Sequence, residues 1–383
     1  MYWIALQSRL PVMKLPASIF RRLTTFWAAV LVAIMPTAVF AVSALETMEQ
    51  EVTAIYQKSQ DTVVKIHSQR QFQIGNSPLF TSQRVGTGFF IDKDGHILTA
   101  STVVDDMDTC WIEWHGQKIN ARTLGRDPQT NLALLKVDPD AGTPTPFLEQ
   151  GDSDDLQVGS MVIAIGFPYD LPSMPVVGFV AGRDIQSGGH VFATSHIRAG
   201  CRLSRGQGGG PVLNSRGQLV GVAVAAYMDD QCYILPINAA RKIYTDILEL
   251  GQPQHTWVGL IVGERHLVLT STQPNQTEVF VQQIYSNAPA ATAGFCIGDI
   301  VLSIMSNPVH RTADVLDSMF YHRVGDSVGF TVQRDGQLTK LVLVVAARPP
   351  QEAFGFLQVP QVPIPPMMQS VQWPMITPAS PPR

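Results

Sequence analysis

Short apolar runs separated by turn residues fill residues 62–235, and this pattern limits the possible folds more than any other feature of the chain. Examples are TVVKIHS (62–68), LALLKV (132–137) and SMVIAIG (160–166), with turn sequences such as DKDG (92–95) between runs. Many short strands with frequent turns are typical of an all-β sandwich or barrel. We therefore predict that the chain is mainly β over this region.

The periodicity changes at 237–251, where apolar residues recur at helical spacing up to Gly251. This predicts a helix that ends at Gly251. Strand-like runs return over 256–348, together with one helical stretch at 312–321. A chain of 383 residues is long enough for two domains with separate cores, so we expect a second, α/β domain here.

The N-terminal residues have the features of an export segment. Basic residues precede an uncharged apolar run of 22 residues, 23–44, and acidic residues follow it. About 20 apolar residues are enough to cross a bilayer as a helix, and the charge distribution places the body of the protein outside the cytoplasm. A cleaved signal peptide, with the small residues Val39 and Ala41 before the cut, is the alternative.

The last residues, 349–383, have a different composition from the rest of the chain. They contain ten of the 27 prolines and only two charged residues, Glu352 and Arg383. Such a segment cannot form a packed core, so we expect a disordered or polyproline-II tail.

The composition as a whole excludes some classes of function. Charged residues make up 15% of the chain and the formal net charge is −4, which gives no basic face for nucleic acid. No Cys or His spacing typical of zinc occurs. We expect no nucleic-acid partner, no metal and no other cofactor.

Three stretches carry a resemblance to a known family. GTGFFIDKDGHILTASTVV (86–104), GRDPQTNLALLKV (125–137) and RGQGGGPVLN (205–214) resemble, in order and spacing, the stretches around the catalytic His, Asp and Ser of the HtrA (Deg) proteases. SNAPAATAGFCIGDIVLSIMSNPV (286–309) resembles the family's PDZ domain. The resemblance covers about 45–348 and is strongest to membrane-anchored members with one PDZ domain.

This resemblance implies a trypsin-like double β-barrel followed by a PDZ domain. The expected organisation is a lead with a transmembrane anchor or signal segment (1–44), an HtrA-like barrel domain (45–251), a PDZ domain (252–348) and the Pro-rich tail (349–383). It also implies a homotrimer, built through the N-terminal region of the barrel domain, or a mixed assembly with active relatives.

The chain departs from the family at the catalytic positions, where it has Thr102, Asn131 and Gly208 instead of His, Asp and Ser. A glycine cannot form an acyl-enzyme, a threonine hydroxyl cannot accept a proton near neutral pH, and an amide cannot stabilise an imidazolium. In proteases, loss of such a set lowers turnover by roughly six orders of magnitude. The sequence therefore predicts a pseudoprotease.

Two alternatives stay open for the degenerate site. The N–H groups of Gly206 and Gly208 would still form an oxyanion hole, or GQGGGP is only a tight turn needed for folding. An active enzyme would need another nucleophile, such as Ser101 or Ser204, and another base, of which His196 is the best candidate.

The cysteines also leave a choice. Export permits disulfides. Cys201 and Cys232 flank the segments that the resemblance places around the specificity pocket, so they are either a disulfide or two buried thiols. Cys110 and Cys296 fall in different predicted domains, and we expect both to be unpaired.

The stretch WVGLI (257–261) resembles the PDZ loop that binds a ligand's C-terminal carboxylate, which makes Trp257, Val258, Gly259 and Leu260 candidate peptide-binding residues. Met319 would line the side-chain pocket or be part of the core. A loop that binds no ligand is the alternative.

The sequence thus predicts an exported pseudoprotease of the bacterial cell envelope, anchored in the inner membrane by 23–44 with its body in the periplasm. It would bind C-termini or unfolded segments of envelope proteins as a scaffold or modulator of protein quality control. The alternatives are an active serine endopeptidase with a non-standard site and a purely structural assembly protein.

Overall fold

The computed structural model describes residues 45–73, 75, 79–138, 144–187, 190–227, 230–267 and 276–349. The predicted export segment 23–44 lies outside them, as does the tail after Pro349. None of the described helices combines the length and the apolar character needed to span a membrane. By their contacts the residues form two units: residues up to Gln254 with Arg311–Tyr321, and His255–His310 with the residues from His322 onward.

The first unit begins with helix α1 (45–59), a short 3-10 turn (Gln60–Thr62) and a six-stranded barrel. Its strands are β1 (Val63–Phe72), β2 (Phe80–Phe90), β3 (His96–Ala100), β4 (Thr109–Trp114), β5 (Gln117–Asp127) and β6 (Leu132–Val137). They close in the order β1-β2-β3-β6-β5-β4, and helix α2 (Ser101–Val104) follows β3. Buried Ile66, Phe90 and Ile97 help fill the interior.

Six more strands close a second barrel in the same unit. They are β7 (Met161–Gly166), β8 (Met174–Ser187), β9 (His190–Ala199), β10 (Pro211–Asn214), β11 (Leu219–Tyr227) and β12 (Gln231–Pro236). Their order is β10-β11-β12-β9-β8-β7. Two short 3-10 turns, Ser153–Asp155 and Pro168–Asp170, flank β7. The prediction of a mainly β chain with a double barrel is confirmed.

Of the two alternatives for Cys201 and Cys232, a disulfide or two buried thiols, the structure has the disulfide, and their Cα atoms are 5.8 Å apart. It joins the segment after β9 to β12. Cys110 and Cys296 are free thiols, as predicted. Burial raises the pKa of the Cys110 thiol to about 12, so this thiol stays protonated and inert at neutral pH.

Helix α3 (Ile237–Leu250) ends as the sequence predicts. Gly251 adopts a left-handed conformation (φ 76°), and its N–H donates to the Ile247 carbonyl at 2.9 Å. The apolar face of the helix, with Ile243 and Ile247, packs on a core to which Leu98 of the first barrel and Ile165 of the second both belong. This shared core holds the two barrels together.

The second unit is an antiparallel sheet with short flanking elements. In sheet order its strands are β14 (Leu260–Leu267), β15 (Gln276–Ile284), β16 (Ile300–Ile304), β18 (Ser327–Arg334) and β19 (Gln337–Val344), with β17 (Asn307–Pro308) beside β16. Strand β13 (Thr256–Trp257) pairs with β20 (Ala346–Ala347), and helix α4 (Pro289–Thr292) follows β15.

A buried ion pair anchors this sheet. Asp299 is 1% exposed and accepts from Arg334 Nε at 2.7 Å and from the Cys296 N–H at 2.8 Å. Burial alone would raise the pKa of Asp299, but these donors outweigh it and the net pKa is lowered.

Helix α5 (Thr312–Phe320) belongs by its contacts to the first unit, although the sequence places it in the second domain. The Asp317 carboxylate accepts from Thr194 Oγ1 at 2.7 Å and from Ser195 N at 2.6 Å, both in β9. Phe320 is buried in the core shared by the barrels. These contacts explain the grouping.

Candidate functional site

The structure brings the three catalytic positions together between the barrels. Thr102 is in α2, Asn131 is in the turn before β6, and Gly208 is in the turn before β10. Thr102 and Gly208 line one groove of about 360 Å³, and Asn131 lies behind it, bonded to the backbone of Thr102. Sequence positions up to 106 residues apart therefore meet at one site.

Asn131 is fixed by hydrogen bonds that need an amide. Its Oδ1 accepts from Thr102 N at 3.0 Å and from Ser101 Oγ at 2.9 Å, while its Nδ2 donates to the Val224 carbonyl at 2.7 Å. Asn131 is left-handed (φ 56°), a conformation that asparagine tolerates. An ionised carboxylate has no hydrogen to donate to Val224, so the amide itself connects the first barrel to the second.

No histidine lines the groove in the described part of the chain. His196, the candidate replacement base, is fully buried in β9; its Nδ1 lies 2.9 Å from the Thr194 carbonyl and its ring stacks on Phe192 at 3.9 Å. The Ser101 hydroxyl donates to Asn131, whereas Ser204 lines the groove. Neither serine therefore has an imidazole base in the groove.

The glycine turn before β10 is held by Thr87 of the first barrel. The Thr87 N–H donates to the Gly208 carbonyl at 3.0 Å, and its hydroxyl donates to the Gly206 carbonyl at 2.7 Å. The same hydroxyl accepts from Phe167 N at 3.0 Å. Within the described residues, the N–H groups of Gly206 and Gly208 donate to no protein acceptor, although both glycines line the groove. Two backbone donors are therefore available there.

The neighbouring glycines Gly208 and Gly209 differ sharply. A Cβ at Gly208 would have no heavy atom within 4 Å. Gly209 is left-handed (φ 86°), and a Cβ there would overlap the Thr87 carbonyl oxygen, the Thr99 hydroxyl and Ala100 N. Gly209 is required by packing, whereas position 208 has room for a side chain.

Sequence reasoning missed several residues of the site. Thr87 is part of a motif that we identified, but nothing in the motif indicates its two hydrogen bonds to the turn and its third to Phe167. Arg84 and Arg205 both line the groove, yet they are far apart in the sequence: Arg205 begins the motif 205–214, whereas Arg84 lies just before the motif 86–104. Only the fold brings them together.

The candidate peptide-binding residues surround the start of β14. Val258 is buried and its carbonyl accepts from Ala290 N at 3.0 Å; the Gly259 carbonyl accepts from Tyr285 N at 2.9 Å. Gly259 is left-handed (φ 72°), and a Cβ there would overlap Ala288. Trp257 ends β13, and Leu260 begins β14, which is one of the two edge strands of its sheet.

Met319, the fifth candidate, lies on α5 in the first unit. It is 8% exposed.

Comparison with known families identifies both domains. Residues 86–222 match the trypsin-like peptidase domain, and residues 267–345 match the PDZ domain. A Pseudomonas fluorescens protein named as a probable periplasmic serine endoprotease, DegP-like, is 29% identical over 281 residues, which are 71% of this chain and 58% of that protein. A Chlamydia trachomatis protein of the same name is 27% identical over 281 residues, 71% and 56% of the two chains. This chain thus spans less than two thirds of these relatives.

Solved structures show the same fold. The HtrA-type protease AlgW solved with a decapeptide has a TM-score of 0.63 at 21% identity, covering 78% of this chain and 99% of that one. The same protease with a tripeptide has a TM-score of 0.65 at 22% identity, covering 79% and 98%.

Proposed function

This chain belongs to the HtrA family of trypsin-like proteases with a PDZ domain, and from that premise we propose that it is a member that binds polypeptides without cutting them. The observation that carries the proposal is the groove lined by Thr102 and Gly208, with Asn131 behind it. Serine-protease chemistry requires a nucleophile, a base and a group that orients the base. Gly208 and Thr102 supply neither of the first two, and the Asn131 amide is occupied by three structural hydrogen bonds.

The proposed ligands are C-termini or unfolded segments of other proteins. PDZ domains bind an extended chain by adding it to the edge of a sheet, with backbone amides holding its carboxylate. Strand β14 is such an edge, and the turn at Gly259 directly precedes it. In this proposal Trp257, Val258, Gly259 and Leu260 form the carboxylate loop.

We place the protein in the cell envelope, anchored by 23–44. The Cys201–Cys232 disulfide fits an oxidising compartment, and similar proteins are named as probable periplasmic endoproteases. A trimer, or a mixed assembly with active relatives, would strengthen weak PDZ contacts through effective concentration. In that setting the protein acts as a scaffold or modulator of protein quality control.

A turnover assay tests the loss of catalysis. The purified chain is incubated with casein and, separately, with a fluorophosphonate probe. Beside it stands the triple variant Thr102→His, Asn131→Asp, Gly208→Ser. We expect neither cleavage nor labelling of the unmodified chain, and detectable labelling of the triple variant if its groove is intact. Stoichiometric labelling of the unmodified chain, abolished by Ser204→Ala, would establish the active-protease alternative instead.

A binding assay tests the peptide-binding part. Peptides with a free C-terminus and their C-terminal amides are titrated into the full chain. We expect the free acids to bind more tightly. Affinity no better than about millimolar for every free acid would instead support a purely structural protein.

A further inference from the structure

The groove is lined by positive charge and by no carboxylate. Arg84 and Arg205 are its only charged lining residues in the described part of the chain. The nearby carboxylate of Asp105 forms an ion pair with Arg126 and is therefore already neutralised. The groove thus has an uncompensated positive charge.

The two arginines differ in how they are held. Arg84 Nη1 donates to the carbonyls of Thr102 and Asp105, both at 2.8 Å, which fixes the guanidinium at the groove wall. Arg205 is exposed, and its side chain makes no ion pair or hydrogen bond to any described residue. One arginine is oriented by the protein, and the other is available to a ligand.

Neutral donors lie beside these charges. The N–H groups of Gly206 and Gly208 have no protein acceptor among the described residues, and the Thr102 and Ser204 hydroxyls also line the groove. A set of donors with two guanidinium groups and no competing carboxylate is suited to an anion with two oxygens, because charge-assisted and bidentate bonds to arginine are the strongest that such donors make.

We propose that this groove binds a carboxylate group of the polypeptide ligand, either an Asp or Glu side chain or a chain end. The proposal rests on the proposed function, since the ligand must remain uncut. One oxygen would accept from the backbone donors and the second from the guanidinium groups, and the space around Gly208 is open, since a Cβ there would have no heavy atom within 4 Å. The site is separate from the carboxylate loop of the PDZ domain.

Three fluorescein-labelled peptides of one sequence distinguish the sources of the carboxylate. The first has a central Glu and a C-terminal amide, the second has Gln and an amide, and the third has Gln and a free C-terminus. Anisotropy is measured with the full chain, with Arg205→Gln, and with the matched control Arg202→Gln, which removes the same charge from an exposed residue outside the groove. The Arg205 side chain has no described partner, and the hydrogen bond from Tyr169 N goes to the Arg205 carbonyl, so replacement of the side chain should not disturb folding.

We expect the Glu amide to bind about fivefold or more tightly than the Gln amide, with a preference that declines as salt is added. Arg205→Gln should abolish this preference and Arg202→Gln should keep it. A chain-end carboxylate in the groove would show as an Arg205-dependent affinity for the third peptide. If neither carboxylate peptide depends on Arg205, the inference is wrong; tight, Arg205-independent binding of the third peptide would then still support the proposed PDZ function.

Discussion

Gly208 and Gly209 are neighbours in the turn before β10, but the space around them differs. At Gly208 a side chain would meet open space, whereas at Gly209 it would overlap three polar atoms. Position 208 therefore has room for a side chain. At position 209, in the turn beside the groove, packing requires a glycine.

The largest expected loss of stability comes from adding a side chain at the tightly packed position, Gly209. Gly209→Ala should lower the free energy of unfolding by about 4 kcal/mol, because it combines a left-handed backbone with overpacking against fixed neighbours. Urea denaturation followed by circular dichroism measures the loss. Gly208→Ala is the matched control and should change stability by less than about 0.5 kcal/mol. Similar losses for both glycines would remove the distinction.

The Cys201–Cys232 disulfide also constrains the backbone near the groove, since Cys201 lies just before the glycine turn. It closes a loop with a sequence separation of 31 residues. Replacing both cysteines by Ala should cost about 3 kcal/mol, mainly by enlarging the unfolded ensemble. Thermal unfolding of the oxidised protein and the double variant measures this cost. Cys296→Ala, at an exposed free thiol, should leave the melting temperature unchanged.

A substitution at Asn131 tests whether this position, which matches the catalytic Asp of the family, stabilises the fold in this chain. Asn131→Asp should cost about 2 kcal/mol at neutral pH, because the new carboxylate cannot donate to the Val224 carbonyl 2.7 Å away. Its folded-state pKa would be raised above the unfolded value, so the loss is full above the folded pKa and disappears as pH falls below the unfolded one.

Denaturation at several pH values checks whether the stability loss of Asn131→Asp decreases as the pH falls. Asn131→Ala is the control, because its loss should not depend on the protonation of residue 131. A variant Asn131→Asp as stable as the parent at neutral pH would show that the amide is not required.

The smallest effect is expected at the open position. Gly208→Ser should change stability by less than about 0.5 kcal/mol and should restore no turnover, because no base or orienting carboxylate is present. Fluorophosphonate labelling and casein cleavage are the readouts. Activity from this single change would overturn our account of Thr102 and Asn131.

The sequence predicted those parts of the fold that depend on local pattern. Apolar runs and turns located most strands, and helical spacing with Gly251 located α3 to within a residue. It predicted less where contacts span the chain. The run 88–92 marked only the end of β2, which begins at Phe80, because residues 81–84 are polar and largely exposed.

The candidate site was likewise predictable where local sequence determines it, and not where it depends on contacts between distant residues. The identities of residues 102, 131 and 208 are readable from motifs, but the bond from Asn131 to Val224 crosses between barrels and leaves no local pattern. The presence of Arg84 and Arg205 in one groove likewise depends on how the barrels close. The disulfide had remained one of two alternatives, since composition alone does not bring two cysteines within bonding distance.

Thr87 has one further consequence. Its hydrogen bonds to Gly206, Gly208 and Phe167 connect strand β2 of the first barrel to the segments before β10 and after β7 in the second barrel, without the help of a ligand. The groove is therefore preorganised, and little conformational entropy remains to be lost on association. A ligand should enter and leave without remodelling of the backbone, so its residence time is set by the contacts it makes and not by a slow opening of the protein.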